Sequence, residues 1–317
     1  MAFYTALLEH EVEDLCNRFG LGPLASCIGA SDGIENSTYF LITDSSKYVL
    51  TLFEDISMSE LPFFVGLMQW LDSRGLPVAC PVRDRNGQVL QMLSGKPALL
   101  FPCLPGCHPS PVTLFQCEAI GSCLGKIHAG TYAYPERRDN PRGTGWMLDA
   151  RLRLAGLMDA ADLLLLDGQI ENARLLRSQG LPLGVIHGDL FHDNALFVGN
   201  ELTGVIDFYN ACTDLLLLDL AVVVNDWCGK PDGSLNKSLV DAVVAAYEVE
   251  RPLCLAEKQA WQATLQLAAS RFWLSRLLAE KLPASHGVIH AHKPSAEYKS
   301  RLMYHLTHKI AINENQS

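Results

Sequence analysis

Apolar positions fall into two regimes along this chain. Leu7, Leu8, Val12, Leu15 and Phe19 recur at helical spacing, which predicts a short amphipathic helix over 5–19, closed by the Gly- and Pro-bearing stretch 20–23. Residues 38–43 (TYFLIT) and 48–53 (YVLTLF) are β-branched and aromatic, and the DSSK between them has turn chemistry, so they predict a β-hairpin. Apolar residues at 61, 64, 65, 68 and 71 make one face of a helix over 60–73, ended by Gly75. Strands are expected around Val82, over 89–93 and over 98–104. After Leu104-Pro105-Gly106 helical periodicity takes over, at 113–129, 147–166, 169–179, 234–249, 256–281 and 295–313, interrupted by a β-rich island at 184–207. The expectation is an α+β chain with a β-rich lobe at 1–104 and a mainly helical lobe at 105–317.

Composition narrows the classes. Hydrophobic residues make up 49% of the 317 positions and charged ones 19%, a balance that buries a core and excludes disorder. The formal charge of -10 argues against a nucleic-acid partner, which would need clustered Lys and Arg. The richest apolar stretch, 215–224, is broken by Asp219 and falls far short of the ~20 residues a membrane span needs. The first residues are acidic and amphipathic, without the positive and apolar regions of an export signal, so a cytoplasmic location is expected. The ten cysteines are then expected as free thiols. Cys103, Cys107, His108 and Cys117 lack a second closely spaced ligand pair, so small core residues are the favoured reading over zinc ligands.

The island reads VIHGDLFHDNALFVGNELTGVIDF. Two apolar strands flank the turn GNE; His187, Asp189, Asp193 and Asn194 precede the first, and Asp207 follows the second. Carboxylates and an amide delivered by loop and strand ends are what metal-dependent phosphoryl transfer requires: one Asp to take the acceptor hydroxyl's proton, an Asn and a second Asp for the metal. The spacing H-x-D-x4-N followed by an Asp after the next strand matches a kinase catalytic loop, with Asp189, Asn194 and Asp207 in those places. His187 is read as a brace for the loop backbone.

HGDLFHDNALF with VIDFYNA closely resembles the aminoglycoside phosphotransferase/choline kinase-like superfamily, which has HGD where protein kinases have HRD. Leu124 and His128 in GSCLGKIHAG, and Asp219 in LLLLDLAVVV, resemble that superfamily's helix end and catalytic-loop support. Within it, the segments 30–41, 48–54, 60–64, 75–87, 95–106, 140–147, 207–221, 225–228 and 271–277 are most similar to homoserine kinases of the bacterial, pseudomonad type. The resemblance covers nearly the whole chain. It implies a protein-kinase-like two-lobed fold, with a small antiparallel β-sheet lobe for nucleotide and a larger helical lobe for catalysis and acceptor. It also implies transfer of the ATP γ-phosphate to the side-chain hydroxyl of L-homoserine, in threonine biosynthesis, with Mg2+ on Asn194 and Asp207.

Site expectations follow. Gly33, Asn36 and Ser37 occupy the place of a phosphate-covering loop, although no Walker-type glycine nest is present. Thr51 stands where many relatives carry the strand Lys, which leaves Lys47 and Lys96 as the nearby candidate cations for phosphates. The stretch 101–106 would meet adenine with backbone groups, Leu104 among them, with Leu50 and Leu196 sandwiching the ring. A zwitterionic acceptor needs an acid for its ammonium and a cation for its carboxylate. Asp226 is expected on the ammonium with Trp227 as a wall, Arg142 and Arg271 on the carboxylate, and Tyr209 near the acceptor. A monomer or weak homodimer is expected.

The alternative is another small-molecule kinase of this fold, for choline or ethanolamine, methylthioribose or an aminoglycoside. Trp146, Trp227 and Trp273 keep an aromatic cage for choline in play. A nucleotide-holding pseudokinase is disfavoured by the intact Asp189, Asn194 and Asp207. Residues 1–104 carry six basic and twelve acidic side chains, so phosphates must be held by local contacts and the metal rather than by long-range attraction.

Overall fold

The computed structural model describes residues 5–30, 36–282 and 293–312. They form two compact units, one ending at Pro105 and the other beginning at Gly106. In the first, α1 (Glu9–Phe19) precedes β1 (Leu24–Gly29), β2 (Ser37–Thr43) and β3 (Lys47–Leu52). Then come α2 (Leu61–Asp72), β4 (Gln91–Leu93) and β5 (Lys96–Pro102). The strands make one sheet in the order β1-β2-β3-β5-β4, every neighbour antiparallel. Strand alternation sorts its two faces. Tyr39, Leu41, Leu50, Leu52 and Leu100 point to one face and pack with Val12, Leu15, Cys16 and Phe19 of α1. Burying a side chain of this size contributes ~1.5–3 kcal/mol, so α1 is tied down by its apolar stripe rather than by its length. The opposite face carries the cross-strand row Ile28, Phe40, Val49 and Phe101.

The second unit contains α3 (Leu114–Gly130), α4 (Thr144–Leu154) and α5 (Ala160–Ser178), then β6 (Leu183–Ile186), β7 (Ala195–Val198), β8 (Glu201–Val205) and β9 (Cys212–Leu215). It closes with α6 (Leu216–Trp227), α7 (Lys237–Glu250), α8 (Leu255–Lys281) and α9 (Ser295–Thr307). Two antiparallel ladders, β6 with β9 and β7 with β8, sit among the helices. A Cβ at Gly121 of α3 would clash with the Val243 carbonyl, and one at Gly125 would lie 2.9 Å from the Tyr247 carbonyl, so these glycines let α3 lie directly on α7.

Several elements differ from the sequence expectation. β1 was not foreseen, and Val82 lies outside any strand, although its amide donates to the Leu100 carbonyl at 2.7 Å and its side chain packs against the core beside the sheet. The helix expected over 147–166 stops at Leu154, because Asp159 caps a new one by accepting from the Asp162 amide at 2.8 Å. That new helix then runs through Gly168 to Ser178, joining what the pattern divides at 166–169. α6 is buried on all sides except Asp226, so it has no amphipathic period to read. Among the described residues no helix is long and apolar enough to cross a membrane. All ten cysteines are free thiols, but Cys103 and Cys107 are exposed rather than in a core.

Candidate active site

The loop between β6 and β7 is built around one buried carboxylate. Asp219, fully buried on α6, accepts hydrogen bonds from the His187 amide at 2.7 Å, the Gly188 amide at 2.8 Å and His128 Nε2 at 3.1 Å. Burial pushes its ionisation up, but the donors, His128 first, outweigh burial and hold it below the usual carboxylate range. Gly188 has φ of +77°, and a Cβ there would lie 2.9 Å from the Asn210 carbonyl, so the middle residue of HGD must be glycine. His187 is buried; its Nε2 donates to the Ile206 carbonyl at 3.0 Å and its Nδ1 accepts from the Asp189 amide at 3.3 Å. Desolvation lowers its pKa, so this imidazole is a neutral brace with both nitrogens committed.

The brace holds Asp189 and Asp207 in one frame. His187 grips the carbonyl of Ile206, and the Ile206 amide donates to the Asn194 carbonyl at 3.0 Å, which seats Asp207 beside Asn194. Asp207 has φ of +64°, a left-handed conformation that costs a non-glycine residue about 1 kcal/mol. Asn194 Nδ2 donates to the Asp189 carbonyl at 2.8 Å, which fixes the amide orientation and leaves Oδ1 as an acceptor for a cation. One carboxylate and one amide oxygen suit a hard divalent cation that takes its remaining ligands from phosphates. Among the described residues no cluster of three or more His, Cys, Asp or Glu could hold a metal ion.

On the other side of Asp189, Arg271 of α8 is 7% exposed and places Nη1 3.8 Å from Asp189 Oδ1. Its guanidinium also lies over the Phe272 ring, 4.0 Å from the centroid. Arg142 reaches the same region from the loop before α4, donating from Nη1 to Asn210 Oδ1 at 2.7 Å, directly after Tyr209. Asp214 of β9 seats that loop: its Oδ2 accepts from Asn140 Nδ2 and Arg177 Nη2, each at 2.6 Å. The structure thus brings Asp189 together with Arg271, and Asn210 together with Arg142. The seating by Asp214 was missed by sequence reasoning, since nothing at Asp214 signals partners 37 and 74 positions away.

Two acceptor-side expectations are corrected. Asp226 is turned into its own unit, where Oδ2 accepts from the His192 amide and from His192 Nδ1, both at 2.7 Å. That hydrogen bond raises the His192 pKa, and it commits an Asp226 side chain only 8% exposed. Trp227 is 2% exposed, donates from Nε1 to the Leu190 carbonyl at 3.0 Å and meets Phe197 edge-on, so it is core and not a pocket wall. Asp193 is paired with Lys293 Nζ at 2.5 Å.

Nucleotide-side expectations fare unevenly within the first unit. Gly33 lies outside the described residues. Asn36 opens β2 at a half-buried bend. Ser37 is fully buried, and its Oγ donates to Glu54 Oε1 at 2.6 Å, so its hydroxyl faces inward and not toward phosphate. Leu50 is fully buried beneath α1 and cannot touch a base. Lys96 Nζ donates to the Glu54 carbonyl at 3.1 Å and pairs with Glu54 Oε2 at 3.2 Å, so much of its charge is directed at Glu54. Leu104 and Leu196 are half-buried, each in its own unit. Ile28 at 52% and Phe40 at 39% exposure stay open on the sheet face opposite α1.

A loop with Asp, Asn and Asp so arranged on a β-hairpin suits metal-dependent phosphoryl transfer. Residues 26–253 match the model of a phosphotransferase enzyme family. The homoserine kinase of Methylobacillus flagellatus is 40% identical over 314 residues, covering 99% of this chain and 97% of that protein. That of Pseudomonas aeruginosa is 40% identical, with 95% and 96% covered. Among solved structures, an amicoumacin kinase in complex with AMP-PNP, Ca2+ and Ami superposes with a TM-score of 0.68 at 17% identity, over 94% of this chain and 92% of that one. A microcompartment-associated aminopropanol kinase gives 0.68 at 17%, with 93% of each chain covered. The chain belongs to the phosphotransferase enzyme family, and within it to the homoserine kinases.

Proposed function

We propose that this chain is an ATP:L-homoserine O-phosphotransferase of threonine biosynthesis, working in the cytoplasm with Mg2+ as a monomer or weak homodimer. The observation that carries the chemistry is Asp189, held at 23% side-chain exposure on a loop whose two preceding amides are fixed by Asp219. Asn194 and Asp207 would hold Mg2+, which when bound neutralises charge on the phosphates. Asp189 orients the homoserine hydroxyl and accepts its proton as the oxygen attacks the γ-phosphorus and ADP leaves. Arg271, with Nη1 3.8 Å from Asp189 Oδ1, aims that carboxylate. Arg142 is the cation best placed for the substrate carboxylate, steadied by Asn210. Catalysis rests mainly on positioning and on charge already in place.

The choline alternative loses its cage, since Trp227 and Trp273 are 2% and 1% exposed. An ADP-release assay over homoserine, choline and kanamycin separates the acceptors; turnover of homoserine alone is expected. Asp189→Ala is expected to keep the fold by circular dichroism and lose roughly 10²–10⁴-fold in kcat. A variant that turns over at the native rate would remove Asp189 from this role.

A further inference from the structure

One buried polar chain is longer than holding the catalytic loop requires. Asp219 takes the two loop amides and His128 Nε2. Beyond His128 the chain continues into α7 and α8. His128 Nδ1 lies 2.7 Å from Tyr247 Oη, Arg251 Nη1 donates to that Oη at 2.9 Å, and Arg251 Nη2 donates to Glu257 Oε1 at 2.9 Å. Glu257 Oε2 accepts from the Cys254 amide at the start of α8, at 3.0 Å. His128, Tyr247 and Glu257 are buried.

The direction of each bond follows from what each group can do. A guanidinium only donates, so the Tyr247 oxygen accepts from Arg251. The phenol's own proton then goes to its other neighbour, His128 Nδ1. Burial pushes the Tyr247 ionisation far above that of an ordinary phenol, so the proton stays on the ring oxygen. With Nδ1 accepting, the imidazole proton sits on Nε2 and is donated to Asp219. The reverse arrangement would aim two donors at the phenol oxygen and leave its hydroxyl without an acceptor in a buried site, a cost comparable to a lost hydrogen bond.

We propose that Tyr247, oriented by Arg251, is a positioning residue for the reaction: it sets His128 in the neutral Nε2–H tautomer and thereby keeps the Asp219 carboxylate on the two amides that carry Asp189. The groups facing His128 are Asp219 from α6 and Tyr247 from α7, with Arg251 behind the phenol. The effect on rate rests on Asp189 acting as the base; the tautomer does not.

The test uses the full chain with 15N-labelled histidine, the His128 signals assigned by His128→Gln. Wild type is expected to show a neutral imidazole with the proton on Nε2. Tyr247→Phe is expected to lose that fixed tautomer and to lower kcat about tenfold, the weight of one hydrogen bond, while KM for ATP and for homoserine each move less than about threefold. Tyr247→Phe added to Asp219→Asn is expected to lower kcat no further than Asp219→Asn alone. If Tyr247→Phe does not fold, Arg251→Gln frees the phenol to rotate and is read in the same way. A wild-type His128 protonated on Nδ1, or a folded Tyr247→Phe with native kcat, overturns the proposal. Absence of homoserine turnover in the wild type would overturn the proposed function and leave the tautomer result standing.

Discussion

Asp219→Asn removes one charge and almost no volume, which makes it a sharp probe of the catalytic-loop support. The carboxylate accepts three hydrogen bonds in a fully buried site, one on Oδ1 and two on Oδ2. An amide can keep its oxygen toward His187 and His128, but its NH2 then meets the Gly188 amide, donor against donor. That unsatisfied pair costs ~1–3 kcal/mol, and the two retained bonds weaken from charge-assisted to neutral, at ~1 kcal/mol each. The expected loss is therefore ~3–5 kcal/mol of stability in the second unit. The Gly188 amide is adjacent to Asp189, and a displacement of ~1 Å at a reacting group can cost ~10²-fold in rate. Urea unfolding monitored by tryptophan fluorescence gives the first quantity and ADP release the second. A variant within about 1 kcal/mol and about threefold of wild type would refute the reasoning, because it would mean the loop holds Asp189 without this carboxylate.

Two further outcomes are expected. Arg142→Gln should raise KM for homoserine about tenfold or more with KM for ATP unchanged, if the lost group is the charge-assisted partner proposed for the acceptor carboxylate; parallel rises in both constants would place Arg142 elsewhere. Stability should begin to fall below pH ~6.5, before the carboxylates titrate. Burial lowers the pKa of His187, and that of His305 to about 3, so the unfolded chain binds protons there that the folded chain refuses. The depressed carboxylates Asp219, Asp193 and Glu54 add stability that is present above their unfolded values and lost as pH falls through the folded ones. His192, raised by Asp226, works in the opposite direction, its contribution being lost as pH rises through its folded value. A urea midpoint constant from pH 7.5 to 5 would contradict the balance.

What the chain announces locally was legible. The β2–β3 hairpin, the HGD loop and the Asp after the next strand follow from β-branched and aromatic runs, turn chemistry and fixed spacing, because those features are set by neighbours in sequence. Face and partner choice were not legible. Leu50 reads equally well on either side of its strand until α1 covers one side. Asp226 reads as a free acid until His192, 34 positions earlier, takes its oxygen. Ser37 looks like a loop hydroxyl until Glu54 draws it inward. In each case a contact made only in the folded chain decides between two locally equal placements.

Asp207 holds a backbone conformation that glycine would adopt without strain. At this position, then, relief of the chain and loss of the carboxylate proposed for the metal are the same mutation. An Asp207→Gly chain would therefore gain about 1 kcal/mol of backbone relief while giving up the carboxylate, so stability and chemistry would move in opposite directions at one residue.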